Sequence, residues 1–141
     1  MVKELQFKQA MRKHAKQYAL AGLKEKLPRL EVLPNQFRGY KIIISIPEYT
    51  SVCPITSLPD TGAITIEYEP NKSFVELKSL KYYILAYRNL GIFYENAVNR
   101  IFRDFVKAVR PRWAIVRGEF NPRGGLKSFI EVKFGKTKFN M

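Results

Sequence analysis

The chain has little of what metal centres and histidine-based catalysis need. Among 141 residues there is one cysteine, Cys53, and one histidine, His14. A single cysteine excludes an intrachain disulfide and a cysteine-rich zinc site. A single histidine, set in the basic stretch Arg12-Lys13-His14-Ala15-Lys16, excludes a histidine-built metal site and a Ser-His-Asp triad. No apolar run reaches the roughly 20 residues that span a bilayer. The basic N-terminus also lacks the continuous apolar core of a signal peptide. A cytoplasmic protein with no membrane partner is the default expectation. Acidic residues are scarce as well: 12 Asp and Glu face 25 Lys and Arg, a net charge of +13. Such an excess predicts an anionic partner, whether nucleic acid, a nucleotide cofactor or a phosphorylated surface. Much of it lies early, since residues 1–30 hold eight bases against two acids.

What remains is ordinary for one globular domain. The hydrophobic share is 46%, and 141 residues can bury a sizeable core. Residues 4–26 read as a helix, because Phe7, Met11, Ala15 and Tyr18 recur at helical spacing among lysines and arginines. Its apolar face suits docking on its own domain or on a neighbouring subunit; its basic face suits nucleic acid. Pro28 and Pro34 mark an extended connector. We therefore divide the chain into a basic helix and connector, 1–34, and a domain, 35–141.

Within the domain, residues 40–47 read as a strand with Ile42, Ile44 and Ile46 on one face. Ala63–Glu69 reads as a second, with Ile64, Ile66 and Tyr68 inward and Thr65, Glu67 and Glu69 outward. A helix is expected from about Phe74 to Arg88, with Leu77, Leu80, Ile84 and Tyr87 on one face. Gly91 fits the left-handed position after it. A third helix runs from about Tyr94 to Val109, with ridges Ala97, Ile101, Phe105 and Val98, Phe102, Val106, and Pro111 stops it. Two strands follow, at Trp113–Gly118 and Leu126–Phe134. The order is a helix and then ββααββ, which suits an α+β fold: a four-stranded antiparallel sheet with two helices on one face. Ile43, Ala114 and Phe129 are expected to face away from the helices, and that open apolar surface argues for self-association.

Four segments carry candidate chemistry, and this architecture lets them be placed near one another. The first is Thr50–Asp60, read as a loop because Pro54 and Pro59 remove two backbone donors. Cys53 is flanked there by polar and turn-forming residues, and Asp60 follows seven positions later. A lone cysteine is commonly a small buried hydrophobe. A soft nucleophile and a proton donor on one rigid loop are also a minimal kit for covalent addition to an electrophilic carbon. The second segment is Ser73–Tyr83. Ser73 and Glu76 have the spacing of a capping box. Free amides plus Lys78 and Lys81 at a helix start equally suit an anion, or the lysines form a solvated face. The third is Gly91–Asn96. Glu95 either complements the helix dipole or accepts from a guanine-like edge. The fourth is Asn121-Pro122-Arg123-Gly124-Gly125, either a plain turn or a phosphate grip. No GxGxxG follows a strand, so a Rossmann-type cofactor site is not expected.

Taken together, Thr50-Ser51-Val52-Cys53-Pro54 with Pro59-Asp60, Glu76-Leu77-Lys78-Ser79-Leu80-Lys81, Arg88-Asn89, Phe93 with Glu95, and Phe120 through Gly125 resemble the 7-cyano-7-deazaguanine reductases of queuosine biosynthesis, in their single-module form. The match runs in order from about Pro47 to Gly125. The resemblance implies a tunnelling fold, in which ββααββ subunits assemble into a homo-oligomeric ring, a pentamer or stacked pentamers, with active sites between subunits. It implies that Cys53 adds to the nitrile carbon of 7-cyano-7-deazaguanine to give a thioimide, and that Asp60 donates the proton to nitrogen. NADPH would then deliver two hydrides. Val75, Glu76, Leu77, Tyr94 and Glu95 would hold the deazaguanine. Lys78, Ser79, Lys81, Arg123 and Gly124 would hold NADPH. The sequence departs from the family at Tyr94, where histidine is usual.

The residues suit this chemistry. A nitrile needs a soft nucleophile and a proton on nitrogen. An aspartate of ordinary proton affinity is ionised at neutral pH, so the acid must be buried or shared. Two other readings compete. A related amidinotransferase would keep Cys53 and Asp60, use nitrile-bearing tRNA and make archaeosine without NADPH. A non-catalytic RNA-binding module would need the charge alone.

Overall fold

Isoleucines at every second residue decide where the sheet packs. The computed structural model describes residues 1–136, so the last five positions of the 35–141 domain lie outside the described residues. The elements in chain order are α1 (Val2–Leu20), β1 (Val32–Pro34), β2 (Ile42–Val52), β3 (Pro59–Glu69), β4 (Ser73–Val75), α2 (Leu77–Leu85), α3 (Tyr94–Val109), β5 (Trp113–Phe120) and β6 (Phe129–Phe134). Four strands form an antiparallel sheet in the order β2-β3-β5-β6. The register aligns Ile44, Ile66, Val116 and Val132 in one row and Ile46, Ile64, Gly118 and Ile130 in the next. These rows meet Leu80 and Tyr83 of α2 and Ala97, Val98, Ile101 and Phe105 of α3 in one core. Ile64, Ile66, Ile101 and Phe105 are fully buried, each stabilising the fold by roughly 1.5–3 kcal/mol.

Both ridges expected on α3 face this core, and its bounds agree with the expectation. Arg110 closes the helix in the left-handed conformation, φ 51°, one residue before Pro111. Other elements differ. β2 continues past Pro47 to Val52, because a bulge between Ile46 and Tyr49 absorbs the proline on an edge strand. Beyond the bulge Tyr49 and Ser51 point into the core, both fully buried. The second strand likewise begins at Pro59, so the Cys53 loop is only the tip of a hairpin.

α2 begins at Leu77 rather than Phe74, since Ser73–Val75 pairs with Val32–Pro34 of the connector. It passes into one turn of 3-10 helix at Ala86–Asn89. Leu77, expected on the inner face, is 63% exposed, and Tyr83 takes that buried role. Ala114 is also corrected. It lies opposite Tyr68 on the helix side and is fully buried, while Trp113 and Ile115 occupy the other face. Glu67 and Glu69 on that outer face are buried beside Lys41 at 2.7 Å and Arg112 at 3.5 Å. Ile43 and Phe129 stay exposed, as expected. β6 starts at Phe129, leaving Leu126 exposed in the preceding turn.

α1 ends at Leu20, short of the expected residue 26, and Gly22 follows at φ 81°. The helix kinks at His14 and has no buried residue, so it contributes nothing to the core of the domain. Its C-terminal end is tied down: Asn96 donates to the Ala19 carbonyl at 2.7 Å, and the buried Arg100 donates to the carbonyls of Gly22 and Glu25. No described helix is long and apolar enough to cross a membrane.

Candidate active site

The β2–β3 hairpin carries Cys53 at its tip. The Cys53 N–H donates to the Leu58 carbonyl at 2.9 Å, and Ser57, at φ 59°, donates back to the Cys53 carbonyl at 2.9 Å. The tip is also held from outside. Val52 donates to the Leu90 carbonyl and Ile92 donates to the Val52 carbonyl, both at 3.0 Å. The segment between α2 and α3 is thus stitched along the strand end that presents the thiol. Gly91 sits in this bridge with an ordinary negative φ, not in the left-handed conformation expected for it. Cys53 itself is half-buried rather than sealed in the core.

Asp60 lies opposite Ser51, two residues before Cys53, on the core face of β3. It is only 5% exposed. Its Oδ1 accepts from the Tyr94 hydroxyl at 3.0 Å and pairs with Arg123 Nη1 at 3.0 Å. Arg123 Nη2 also donates to the Pro59 carbonyl at 2.5 Å. The aspartate is therefore buried, and its Oδ1 is engaged by a cation and a hydroxyl donor. Tyr94 is fixed by stacking on Phe120, with ring centroids 4.0 Å apart and planes 15° from parallel. Burial pushes its phenol up to about 12, the hydrogen bond to Asp60 and the carboxylate charge add to this, and Arg123 opposes it. Arg123 is presented by a tight turn in which it exchanges two backbone hydrogen bonds with Leu126, both 3.0 Å. Gly124 and Gly125 adopt φ 56° and 81° there, a geometry that favours glycine. Glu95 is exposed in the first turn of α3, next to Tyr94.

The second segment behaves differently. Glu76 is itself the N-cap of α2, and its carboxylate accepts from the backbone N–H groups of Lys78 at 2.5 Å and Ser79 at 3.0 Å. Ser73 is no part of a capping box; its hydroxyl donates to the Val109 carbonyl at 3.2 Å. The Ser79 hydroxyl donates to the Glu76 carbonyl and accepts from the Glu31 N–H. Two amides that were expected to be free for an anion are thus occupied. The exposed ammonium groups of Lys78 and Lys81 remain, and they suit the phosphates of a nucleotide such as NADPH. Lys81 and Leu77 line a groove of about 340 Å³ between β2 and α2, together with Ile46, Leu85 and Arg88.

The fold brings Cys53, Asp60, Tyr94, Glu95, Arg123 and Gly124 to one end of the sheet. Val75, Glu76, Leu77, Lys78, Ser79 and Lys81 lie towards the other. The Val75 N–H donates to the Tyr68 hydroxyl at 3.0 Å. Tyr68 is eight residues from Asp60 along β3, roughly 27 Å at strand spacing. The four segments are therefore not gathered within one chain. A cavity of about 700 Å³ between the connector and α3 is lined by none of these residues; Leu30, Tyr83, Arg100 and Asp104 are among its walls. Sequence reasoning also missed Phe120 as the platform for Tyr94, since only the register with β3 turns that phase of β5 inward. Nothing in the sequence signals the Arg123–Asp60 pair.

Comparisons with known proteins identify the family. A family model described as QueF-like protein matches residues 59–138. A protein of Elusimicrobium minutum named NADPH-dependent 7-cyano-7-deazaguanine reductase is 52% identical over 124 residues, covering 87% of this chain and 94% of that protein. A protein of the same name from Chlorobaculum tepidum is 53% identical over 111 residues, covering 77% and 95%. Among solved structures, one described as the archaeosine synthase QueF-Like in the apo form superposes with a TM-score of 0.64 at 21% identity, over 69% of this chain and 95% of that one. That likeness bears on the fold alone, and it agrees with the tunnelling fold that the family resemblance implies. With a family model covering more than half of its residues and relatives about half identical along nearly their whole length, the chain belongs to the QueF-like protein family.

Proposed function

We propose that this protein is an NADPH-dependent reductase of the nitrile in 7-cyano-7-deazaguanine, working through a thioimide on Cys53. The observation that carries the reading is the buried carboxyl group of Asp60, held by Tyr94 and Arg123 beside a half-buried thiol on a braced hairpin. The names of the relatives support the same substrate and cofactor. As a thiolate, Cys53 Sγ attacks the nitrile carbon. A carbon–sulfur bond forms, one π pair moves to nitrogen, and the carboxyl proton of Asp60 passes to that nitrogen. Two NADPH molecules, bound in succession, would each supply one hydride; the carbon–sulfur bond breaks between the two transfers, returning Cys53 as a thiolate, and a second proton taken up from solvent completes the aminomethyl group. Glu95 accepts from the donor edge of the deazaguanine. Lys78 and Lys81 bind phosphate groups, Arg123 is engaged by Asp60 and the Pro59 carbonyl instead, and Gly124 leaves the backbone open to close approach.

Val75, Glu76, Leu77, Lys78, Ser79 and Lys81 serve this site from a second copy of the chain. Two observations support that arrangement: the separation of the two ends of the sheet within one chain, and the exposed Ile43 and Phe129 on the outer face. A homo-oligomer follows from it, and the family resemblance implies that it is a ring. Of residues 1–34, α1 is then an appendage, whereas the connector packs into the catalytic domain through β1 and the buried Leu30; the cytoplasm is where such an enzyme would meet its free-base substrate and its nicotinamide donor.

The test is NADPH consumption on adding free 7-cyano-7-deazaguanine, together with intact mass after mixing with the nitrile alone. Turnover in the native protein, its loss in Cys53→Ala, and a substrate-sized adduct mapped to Cys53 are expected. Amidine formation on nitrile-bearing tRNA without NADPH consumption would replace the reductase with the amidinotransferase.

A further inference from the structure

Asp60 has an asymmetric environment. A carboxylate offers about two lone-pair sites on each oxygen. Among the described residues two groups reach Asp60, both at Oδ1 and 3.0 Å: the Tyr94 hydroxyl donates a hydrogen bond, and Arg123 Nη1 forms an ion pair. They arrive from two unrelated parts of the chain, the first turn of α3 and the turn between β5 and β6. Neither donor is free to drift. Tyr94 is stacked on the fully buried Phe120, and Arg123 is anchored by its second nitrogen on the Pro59 carbonyl. An aspartate χ2 is otherwise a broad, soft torsion, so two donors on one oxygen settle which way the carboxyl plane turns. The hydroxyl proton of Tyr94 is committed to Asp60 and cannot at the same time be donated to a base in the site.

We propose that Tyr94 and Arg123 are positioning residues that pin Asp60 through Oδ1, so that Oδ2 is the oxygen that hands its proton to the nitrile nitrogen. This rests on the reductase reading above. With Oδ1 already engaged by the phenol and the guanidinium, Oδ2 is the oxygen left to carry the proton that is transferred. When it leaves, the O–H bond breaks, an N–H bond forms, and the resulting carboxylate charge is met at once by the guanidinium and the phenol. Reacting groups must be aligned closely, since a misplacement of about 1 Å can cost on the order of 100-fold in rate. Tyr94 therefore acts on the rate of thioimide formation and not on how tightly the deazaguanine is held.

Two measurements separate these roles. The rate of adduct formation at saturating 7-cyano-7-deazaguanine, without NADPH, is followed by intact mass in Tyr94→Phe, Tyr94→His and the native protein. Affinity for the nitrile is measured in the same variants combined with Cys53→Ala, where no adduct forms. Tyr94→Phe keeps the ring that stacks on Phe120, and a thermal melt checks that it folds. Adduct formation is expected to slow roughly 10- to 100-fold in Tyr94→Phe, with affinity changed less than about 3-fold. Tyr94→His, whose ring also stacks and donates, should recover most of the rate. Weakened affinity with an unchanged adduct rate would make Tyr94 a base ligand and overturn the proposal. So would an unchanged rate and affinity, or a failure of Tyr94→His to recover the rate. If the native protein forms no adduct at all, the reductase reading itself falls, and this inference falls with it.

Discussion

Two inactive variants of this protein should repair one another. Cys53→Ala removes the nucleophile at one end of the sheet. Glu76→Gln alters the other end: its amide oxygen can still accept from a backbone N–H of the α2 cap, but its amide nitrogen can no longer accept from a donor edge of the base. Within one chain these ends are too far apart for a bicyclic base to touch both, given the eight residues and roughly 27 Å between Asp60 and Tyr68. A working site must then draw Cys53 from one copy and Glu76 from another. In a randomly mixed one-to-one oligomer each half is intact with probability one half. About one quarter of the sites should therefore be whole, giving about one quarter of native turnover from parents that have almost none. The assay is NADPH oxidation by particles assembled from differently tagged variants and purified through both tags. Activity no higher than that of the parents, in particles carrying both tags, would show that one chain supplies both halves and that the two-copy argument is wrong.

Two further outcomes bear on the fold. A Cβ added at Gly118 would stand 2.7 Å from Val98 Cγ2 and 2.8 Å from the Phe120 ring. Gly118→Ala should therefore destabilise the protein by roughly 1–3 kcal/mol through overpacking. Because Phe120 supports Tyr94, adduct formation should slow as well; a guanidinium midpoint within error of native would refute the close α3–sheet contact. Alkaline stability tests the buried phenols. Burial raises the phenols of Tyr49, Tyr83 and Tyr87 above their value in the unfolded chain, which is near 10. The folded protein keeps protons that the unfolded chain releases, so this stabilisation is complete below pH 10 and is lost as pH rises further. Unfolding free energy should fall by up to about 1.4 kcal/mol per pH unit for each such tyrosine. Equal denaturant midpoints at pH 9 and pH 11 would contradict their burial.

Much of this protein is legible along the chain. α3 could be bounded from its two ridges, because a helix dictates its own periodicity. Ile42, Ile44, Ile46, Ile64 and Ile66 announced the inner face of the sheet for the same reason, and the prolines around Cys53 announced the hairpin tip. The motif order was enough to suggest the family. Errors gathered wherever a distant partner decides. Phe74 reads as helical until Leu33 pairs with it from forty-one residues away. Ala114 and Ile115 alternate equally well in either phase, and only the register with Tyr68 turns the alanine inward. Sequence by itself determined the scarcity of histidine and cysteine, the excess of positive charge, the periodic elements and the candidate chemistry, all of which reside in composition or in neighbours a few residues apart. Tertiary structure alone decided that Asp60, Tyr94 and Arg123 meet on one oxygen and that Glu76 lies at the opposite end of the sheet. Those are contacts between segments whose separation along the chain carries no trace of their distance in space.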